Sequence, residues 1–198
     1  MGFDMNAFSL AGKKAIVTGG AKKTGLCYGM AVALHDAGAE IVILDANSQV
    51  ENTVAELGGA KSGYHAVVAN LLDLNDLSNG FQQAISALGG RLDILVNGAG
   101  LQYRCPSEEF PEDAWDRIMG VNIKGVFFMS QLAGKVMLKQ GKGKIINIAS
   151  TNSFIGLRNM PAYVSSKGGV KQLTMALSSE WSGRGINVNA IAPGYMDT

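Results

Sequence analysis

With 198 residues, 47% apolar and 17% charged side chains, and a formal net charge of +1, the chain is long enough for one domain with a full core. The near-neutral balance gives no electrostatic reason to expect nucleic acid or an anionic membrane as partner. Two cysteines, Cys27 and Cys105, are too few for a disulfide framework and lack metal-ligand spacing, so no metal and a reducing cytoplasm are expected. The opening MGFDMNAFSL has no basic stretch followed by an apolar one, and no apolar run reaches bilayer length.

In chain order, short β-branched runs alternate with longer amphipathic ones. KKAIVTG (13–19) predicts a strand and 25–37 a helix; EIVILD (40–45) a second strand and 47–57 a helix. YHAVVA (64–69) follows as a third strand, with a helix over 75–88. DILVNGAG (93–100) and KIINIAS (144–150) flank a long helical region, 112–140. A helix over 162–182 leads to a sixth strand, INVNAIAPG (186–194). Near-continuous apolar strands are covered on both faces, and strand–helix alternation implies a parallel sheet with right-handed crossovers. The expected fold class is therefore α/β, a doubly wound, Rossmann-like sheet of six strands. Ligands of such sheets sit at the carboxyl ends of the strands, where strand order reverses.

The unusual residues fall at those ends. VTGGAKKTGLCYGMA (17–31) joins the first strand to a helix, and its glycines would let backbone and helix amino terminus approach a pyrophosphate. Asp45 ends the second strand twenty positions after Gly25, where a carboxylate accepts from adenosine ribose hydroxyls and repels a 2′-phosphate. NAD is thus expected over NADP. Lys22 and Lys23 point the other way, but loop lysines are mobile and Asp45 is fixed at a strand end. Tyr163 and Lys167 lie four residues apart, on one face of a predicted helix. Ser150 lies thirteen residues before Tyr163.

TGGAKKTG, NGAG (97–100), Asn122 in VNIKGVFF, Ser150, Tyr163-x-x-x-Lys167 and PGYMDT (193–198) occur in an order that resembles the short-chain dehydrogenase/reductases along the whole chain. NAFSLAGKKAIVTG, GAGLQYRCPSEEFPEDAW and KIINIASTNSF resemble the sugar-acid branch of that family, the gluconate and deoxygluconate dehydrogenases. There are departures. Five residues separate Gly19 from Gly25 where the family has three, so either Lys23 stands where the middle glycine belongs or, as the downstream GMAVAL favours, the loop is two residues longer and Cys27 replaces the last glycine; Gly98 replaces an asparagine, and Asn70 an aspartate.

The resemblance implies catalytic roles for Asn122, Ser150, Tyr163 and Lys167. It implies cofactor contacts from Thr18, Gly19, Lys23, Thr24, Gly25 and Leu26 in the first loop. Further contacts would come from Asp45, Asn70, Leu71, Asn97, Gly98, Ala99, Pro193, Gly194 and Thr198. A free tyrosine has a pKa of about 10 and is a poor base near neutrality; bringing one to roughly 7 takes ~4 kcal/mol in favour of the phenolate. An exposed ion pair contributes about 0–1 kcal/mol, so Lys167 would have to act in a dry pocket. Tyr163 would then take the hydroxyl proton, Ser150 would hold the substrate oxygen, and Asn122 would anchor a water beside Lys167.

The expected substrate is a small sugar acid. Gln102 and Arg104 stand at the cleft mouth, where Arg104 is either a bidentate carboxylate clamp or a solvated loop charge. Asn152 and Ser153 either bind sugar hydroxyls or cap a loop. His35 and His65 read as packing residues. Trp115 and Trp181 lie on the two helices that resemble the family's subunit-joining pair, 112–140 and 162–182, so a homo-oligomer, dimer or tetramer, is expected, with ordinary packing the rival reading for both. Family members continue past the position of Thr198 with a substrate-covering segment, a seventh strand and a helix. The resemblance therefore implies a C-terminally truncated single domain with an apolar sheet edge and little turnover. Two rival functions stay open, an NADPH-dependent reductase of acyl-carrier substrates and a non-catalytic dinucleotide-binding module.

Overall fold

A computed structural model describes residues 5–196. The strands are β1 (Lys14–Thr18), β2 (Glu40–Asp45), β3 (Tyr64–Val68), β4 (Ile94–Asn97), β5 (Gly143–Ile148) and β6 (Ile186–Ile191). Between them run α1 (Leu26–Asp36), α2 (Gln49–Glu56), α3 (Leu74–Ala87), α4 (Glu112–Met119), α5 (Val126–Gln140) and α6 (Pro161–Trp181). All strand pairs are parallel, in the order β3-β2-β1-β4-β5-β6.

Side chains alternate across the pleat, so each apolar strand feeds two cores. Ala15 and Val17 of β1, Ile41 and Ile43 of β2, and Ile94 and Val96 of β4 enter the core on one face. The residues between them, Ile16, Val42, Leu44 and Leu95, enter the core on the other, with Phe81 of α3 and Met129 and Met137 of α5. A polar substitution at any of these positions would be buried, whichever face it pointed to.

The helices start and stop by local chemistry. The Asp73 carboxylate accepts from the Asn75 and Asp76 N–H groups at the start of α3. Gly141, at φ 71°, ends α5 in the left-handed conformation that suits glycine. Pro161 opens α6, where its missing N–H costs nothing.

Most boundaries shift by one or two residues from expectation, and three differ by more. The region 112–140 is two α-helices joined by a π-helical stretch, Gly120–Gly125. A Cβ at Gly120 or Gly125 would meet Leu72 at 2.5 Å or Leu71 at 3.1 Å, so these glycines let the widened turn sit against the loop after β3. The fourth strand stops at Asn97, its glycines forming a turn, and the sixth stops at Ile191. Trp181 is 9% exposed and packs on Gly134 of α5, where a Cβ would lie 2.8 Å from Cη2. Its role is helix packing; Trp115 stays 38% exposed on α4.

Strand order reverses between β1 and β4, so a crevice opens at their carboxyl ends. The histidines lie away from it. His65 bonds Glu40 at 2.8 Å, and His35 stacks on Tyr64 with ring centroids 4.0 Å apart. Among the described residues, no helix is long and apolar enough to cross a membrane. None of them form a group of three or more His, Cys, Asp or Glu side chains placed to hold a metal.

Candidate active site

The crevice has two connected lobes. One, about 550 Å³, lies over the ends of β1 and β2 and is lined by Asp45, Asn70, Leu71, Ala99 and Arg117. The other, about 370 Å³, is lined by Ser150, Tyr163, Lys167, Gln102, Arg104 and Asn152. They meet at Leu26, Gly98, Gly100, Leu101 and Ile148.

The first lobe is built by close backbone approach. Gly19, at φ 87°, presses on the turn after β4; a Cβ there would lie 2.7 Å from Ala99 Cα. The Thr18 hydroxyl accepts from the Gly98 and Ala99 N–H groups at 3.0 and 3.2 Å, joining the end of β1 to that turn. Gly25 is the N-cap of α1 in extended conformation and makes no side-chain cap, and α1 begins at Leu26. The chain thus adopts the longer loop, with Cys27 inside the first turn. Asp45 accepts from the Ala21 N–H at 3.0 Å and the Asn47 N–H at 2.9 Å, which fixes its carboxylate at the strand end.

Some predicted cofactor residues lie elsewhere. Lys23 pairs with Glu56 and, like Thr24, is exposed outside either lobe. Asn97 is 2% exposed and turns beneath the sheet, donating to Ser130 Oγ and Asn147 Oδ1 at 2.9 Å each. Its neighbours Gly98 and Ala99 line the first lobe instead. Pro193 and Gly194 line the second lobe, held where Thr151 N–H donates to Pro193 O at 3.0 Å. Thr198 lies outside the described residues.

In the second lobe, Tyr163 and Lys167 project from one face of α6, one turn apart. Lys167 is 5% exposed, donates to Ile148 O at 2.5 Å, and places Nζ 5.8 Å from the centroid of the Tyr163 ring. Burial disfavours the charged form and pushes the lysine pKa down to about 8. Ser150, just past β5, accepts from the Asn152 N–H at 3.1 Å, which leaves its hydroxyl proton free to donate. Ser153 Oγ donates to Lys167 O at 2.8 Å and accepts from Ser150 N–H at 3.3 Å. Ser153 is therefore the loop cap that ties Ser150 to α6.

Asn122, fully buried in the π-helical stretch, braces this arrangement. Its Oδ1 accepts from Leu101 N–H at 2.7 Å, while Nδ2 donates to Leu101 O at 2.9 Å and Ser166 Oγ at 3.0 Å. A Cβ at Gly169 of α6 would lie 2.3 Å from Ile123 Cδ1, so glycine there permits the approach. A second brace joins the cleft-mouth loop to the start of α6. Asn159 (φ 62°) is the one non-glycine residue with positive φ among the described residues, and its carbonyl accepts from Cys105 N–H at 2.9 Å.

Sequence reasoning missed Leu101, Met160 and Leu157 in the second lobe and Arg117 in the first. The apolar ones carry no chemical signature. Arg117 is an ordinary exposed charge until α4 is placed against the cleft.

A family model described as short chain dehydrogenase matches residues 13–198. A 2-dehydro-3-deoxy-D-gluconate 5-dehydrogenase of Escherichia coli is 45% identical over 195 residues, covering 98% of this chain and 76% of the relative. A gluconate 5-dehydrogenase of Gluconobacter oxydans is 36% identical over 198 residues, covering 96% and 74%. The crystal structure of a gluconate 5-dehydrogenase from Burkholderia cenocepacia, in complex with NADP and tartrate, matches with a TM-score of 0.90 at 34% identity, covering 98% and 75%.

The depressed lysine pKa has a consequence for stability. Lowering it from 10.5 to about 8 means that burying the ammonium costs roughly 3 kcal/mol. That cost is complete below the folded value and disappears as pH rises through it towards the unfolded value. Lys167→Met is expected to stabilise the ligand-free protein by ~1–3 kcal/mol at pH 7, after loss of the Ile148 bond. The advantage should shrink between about pH 8 and 10.5. Thermal unfolding of both proteins across that range checks it; a Lys167→Met protein less stable than wild type at pH 7 would contradict it.

Proposed function

Because the chain belongs to the short-chain dehydrogenase family, we propose that it is an oxidoreductase acting between NAD(H) and a hydroxyl or keto group of a sugar acid. The observation that carries this reading is the buried ammonium of Lys167 beside Tyr163, in a cleft that continues into a glycine-walled lobe.

The residues present suit a dinucleotide. Gly19 leaves room for a pyrophosphate, the uncapped first turn of α1 after Gly25 offers it backbone N–H groups, and Asp45 offers a carboxylate to ribose hydroxyls. The dinucleotide, when bound, supplies the hydride acceptor or donor. Asp45 and the Lys23–Glu56 pair support NAD over NADP, since a 2′-phosphate would meet a carboxylate while losing a cation. The NADP held by the Burkholderia relative is the observation on the other side.

In oxidation, Tyr163 takes the proton of the substrate hydroxyl, and in reduction it returns one. Lys167 favours the phenolate by charge, more strongly for being out of water. Ser150 Oγ donates to the substrate oxygen. Asn122 holds Leu101 and Ser166, and through them the wall beside Lys167. Arg104 and Gln102, at the rim of the second lobe, receive the substrate carboxylate and hydroxyls. The names of the Escherichia coli and Gluconobacter relatives support gluconate-type acids. The whole 198-residue chain forms one dinucleotide-binding domain in this reading, and its free thiols suit a reducing cytoplasm. A second copy joins through α4, α5 and α6, where Trp115 and Met175 are 38% and 59% exposed.

Initial rates with a gluconate-type acid test the assignment. Wild type should turn over faster with NAD than with NADP, and Tyr163→Phe should lower kcat roughly 10³-fold while leaving dinucleotide affinity nearly unchanged. Retained turnover in Tyr163→Phe would refute the proton role. For Arg104→Ala we expect KM for the acidic sugar to rise about tenfold or more, with little change for an uncharged polyol. An equal rise for both would remove Arg104 from the site.

A further inference from the structure

The two lobes meet at Gly98 and Leu26, and Cys27 lies against that junction. A Cβ built on Gly98 would lie 2.2 Å from Cys27 Sγ and 3.0 Å from Thr18 O. Gly98 is absent from the glycines with positive φ, so an L side chain suits its backbone. Glycine is required there by space alone, and the thiol is the atom that fills the space.

The turn cannot back away from an added carbon. On its other side Gly19 presses on Ala99, where a Cβ would lie 2.7 Å from Ala99 Cα, and Thr18 Oγ1 holds both Gly98 and Ala99 by their N–H groups. The turn is wedged between the phosphate-loop backbone and the first turn of α1. Close-packed interiors transmit such a volume change into backbone shifts, here into the wall shared by both lobes.

We propose that Cys27 and Gly98 form a matched pair whose combined volume has an upper limit at the cleft junction, so that volume added at 98 preserves dinucleotide affinity only where volume is removed at 27. This rests on the reading that the cleft takes a dinucleotide. Cys27 acts as a positioning residue. The residue is 6% exposed, and burial pushes its thiol pKa up to about 11, so volume is its contribution.

A double-mutant cycle tests the pair. Gly98→Ala should weaken NADH binding, followed by fluorescence titration, at least tenfold, and raise KM for the dinucleotide with kcat within threefold of wild type. Cys27→Ala and Cys27→Ser should each bind within threefold of wild type. In the variant carrying both Gly98→Ala and Cys27→Ala, the methyl group added at position 98 no longer meets a sulfur. The remaining neighbours are Thr18 O at 3.0 Å and the Cβ at position 27 at 3.5 Å; the space left by the sulfur lets the turn shift by the few tenths of an ångström that Thr18 O requires, so affinity should return to within about threefold of Cys27→Ala. Should Gly98→Ala fail to fold, the double variant against Cys27→Ala gives the same answer, because the second substitution should then cost nothing. A double variant as weak as Gly98→Ala, a tenfold loss on adding Gly98→Ala to Cys27→Ala, or a tenfold loss in Cys27→Ser would overturn the pair. Wild type that fails to bind NADH would overturn the dinucleotide reading with it.

Discussion

Lys167 keeps an ammonium group almost wholly out of water, bonded to the carbonyl of Ile148 at the end of β5. Burial of a cation is unfavourable, and it persists only where the surrounding structure holds it. Here the fold supplies two restraints. Helix α6 carries the stem and β5 supplies the acceptor. The same burial that lowers the lysine pKa strengthens its attraction for a neighbouring negative oxygen, because screening is weakest where solvent is excluded. One unfavourable placement therefore makes a charge effective for chemistry.

That placement depends on close approaches between elements. The π-helical stretch between α4 and α5 widens the chain by one residue and brings Asn122 inward. Gly169 removes the side chain that would keep α6 from meeting it. Asn122 then holds both polar groups of Leu101 and the hydroxyl of Ser166, one residue before Lys167. Ser153 performs a similar service from the other side, by bonding Lys167 O and the amide of Ser150. Tyr163, Lys167 and Ser150 come from a helix and a strand-end loop, yet each is anchored through a neighbour. On the dinucleotide side the walls are backbone, and small residues at 19 and 98 determine how near two loops can come.

Much of this is legible in the sequence, for identifiable reasons. β-branched runs buried on both faces announce the strands, and the alternation of periods announces the parallel sheet, so β2 is bounded at Glu40 and Asp45 from its residues alone. Tyr163 and Lys167 are readable because helical spacing is a local rule. The π-helical stretch is not, since its cause is contact between Gly120, Gly125 and leucines some fifty residues earlier. Asn97 reads as facing cofactor because it ends a strand; the pleat sends its side chain the other way, to Ser130 and Asn147. Lys23 looks available to a phosphate until α2 places Glu56 beside it. Cys27 and Gly98 stand in the sequence as two unrelated departures, and only the packing of α1 on the turn after β4 shows that they touch.

The most direct measurement is the titration of Lys167 itself, followed by NMR of protein labelled at lysine side chains, with Lys167→Met to assign the signal. A desolvated ammonium should titrate near 8, well below the value of about 10.4 for a lysine in water. A Lys167 signal that titrates at about 10.4 would show a solvated cation, and the account of how this cleft prepares Tyr163 would fail.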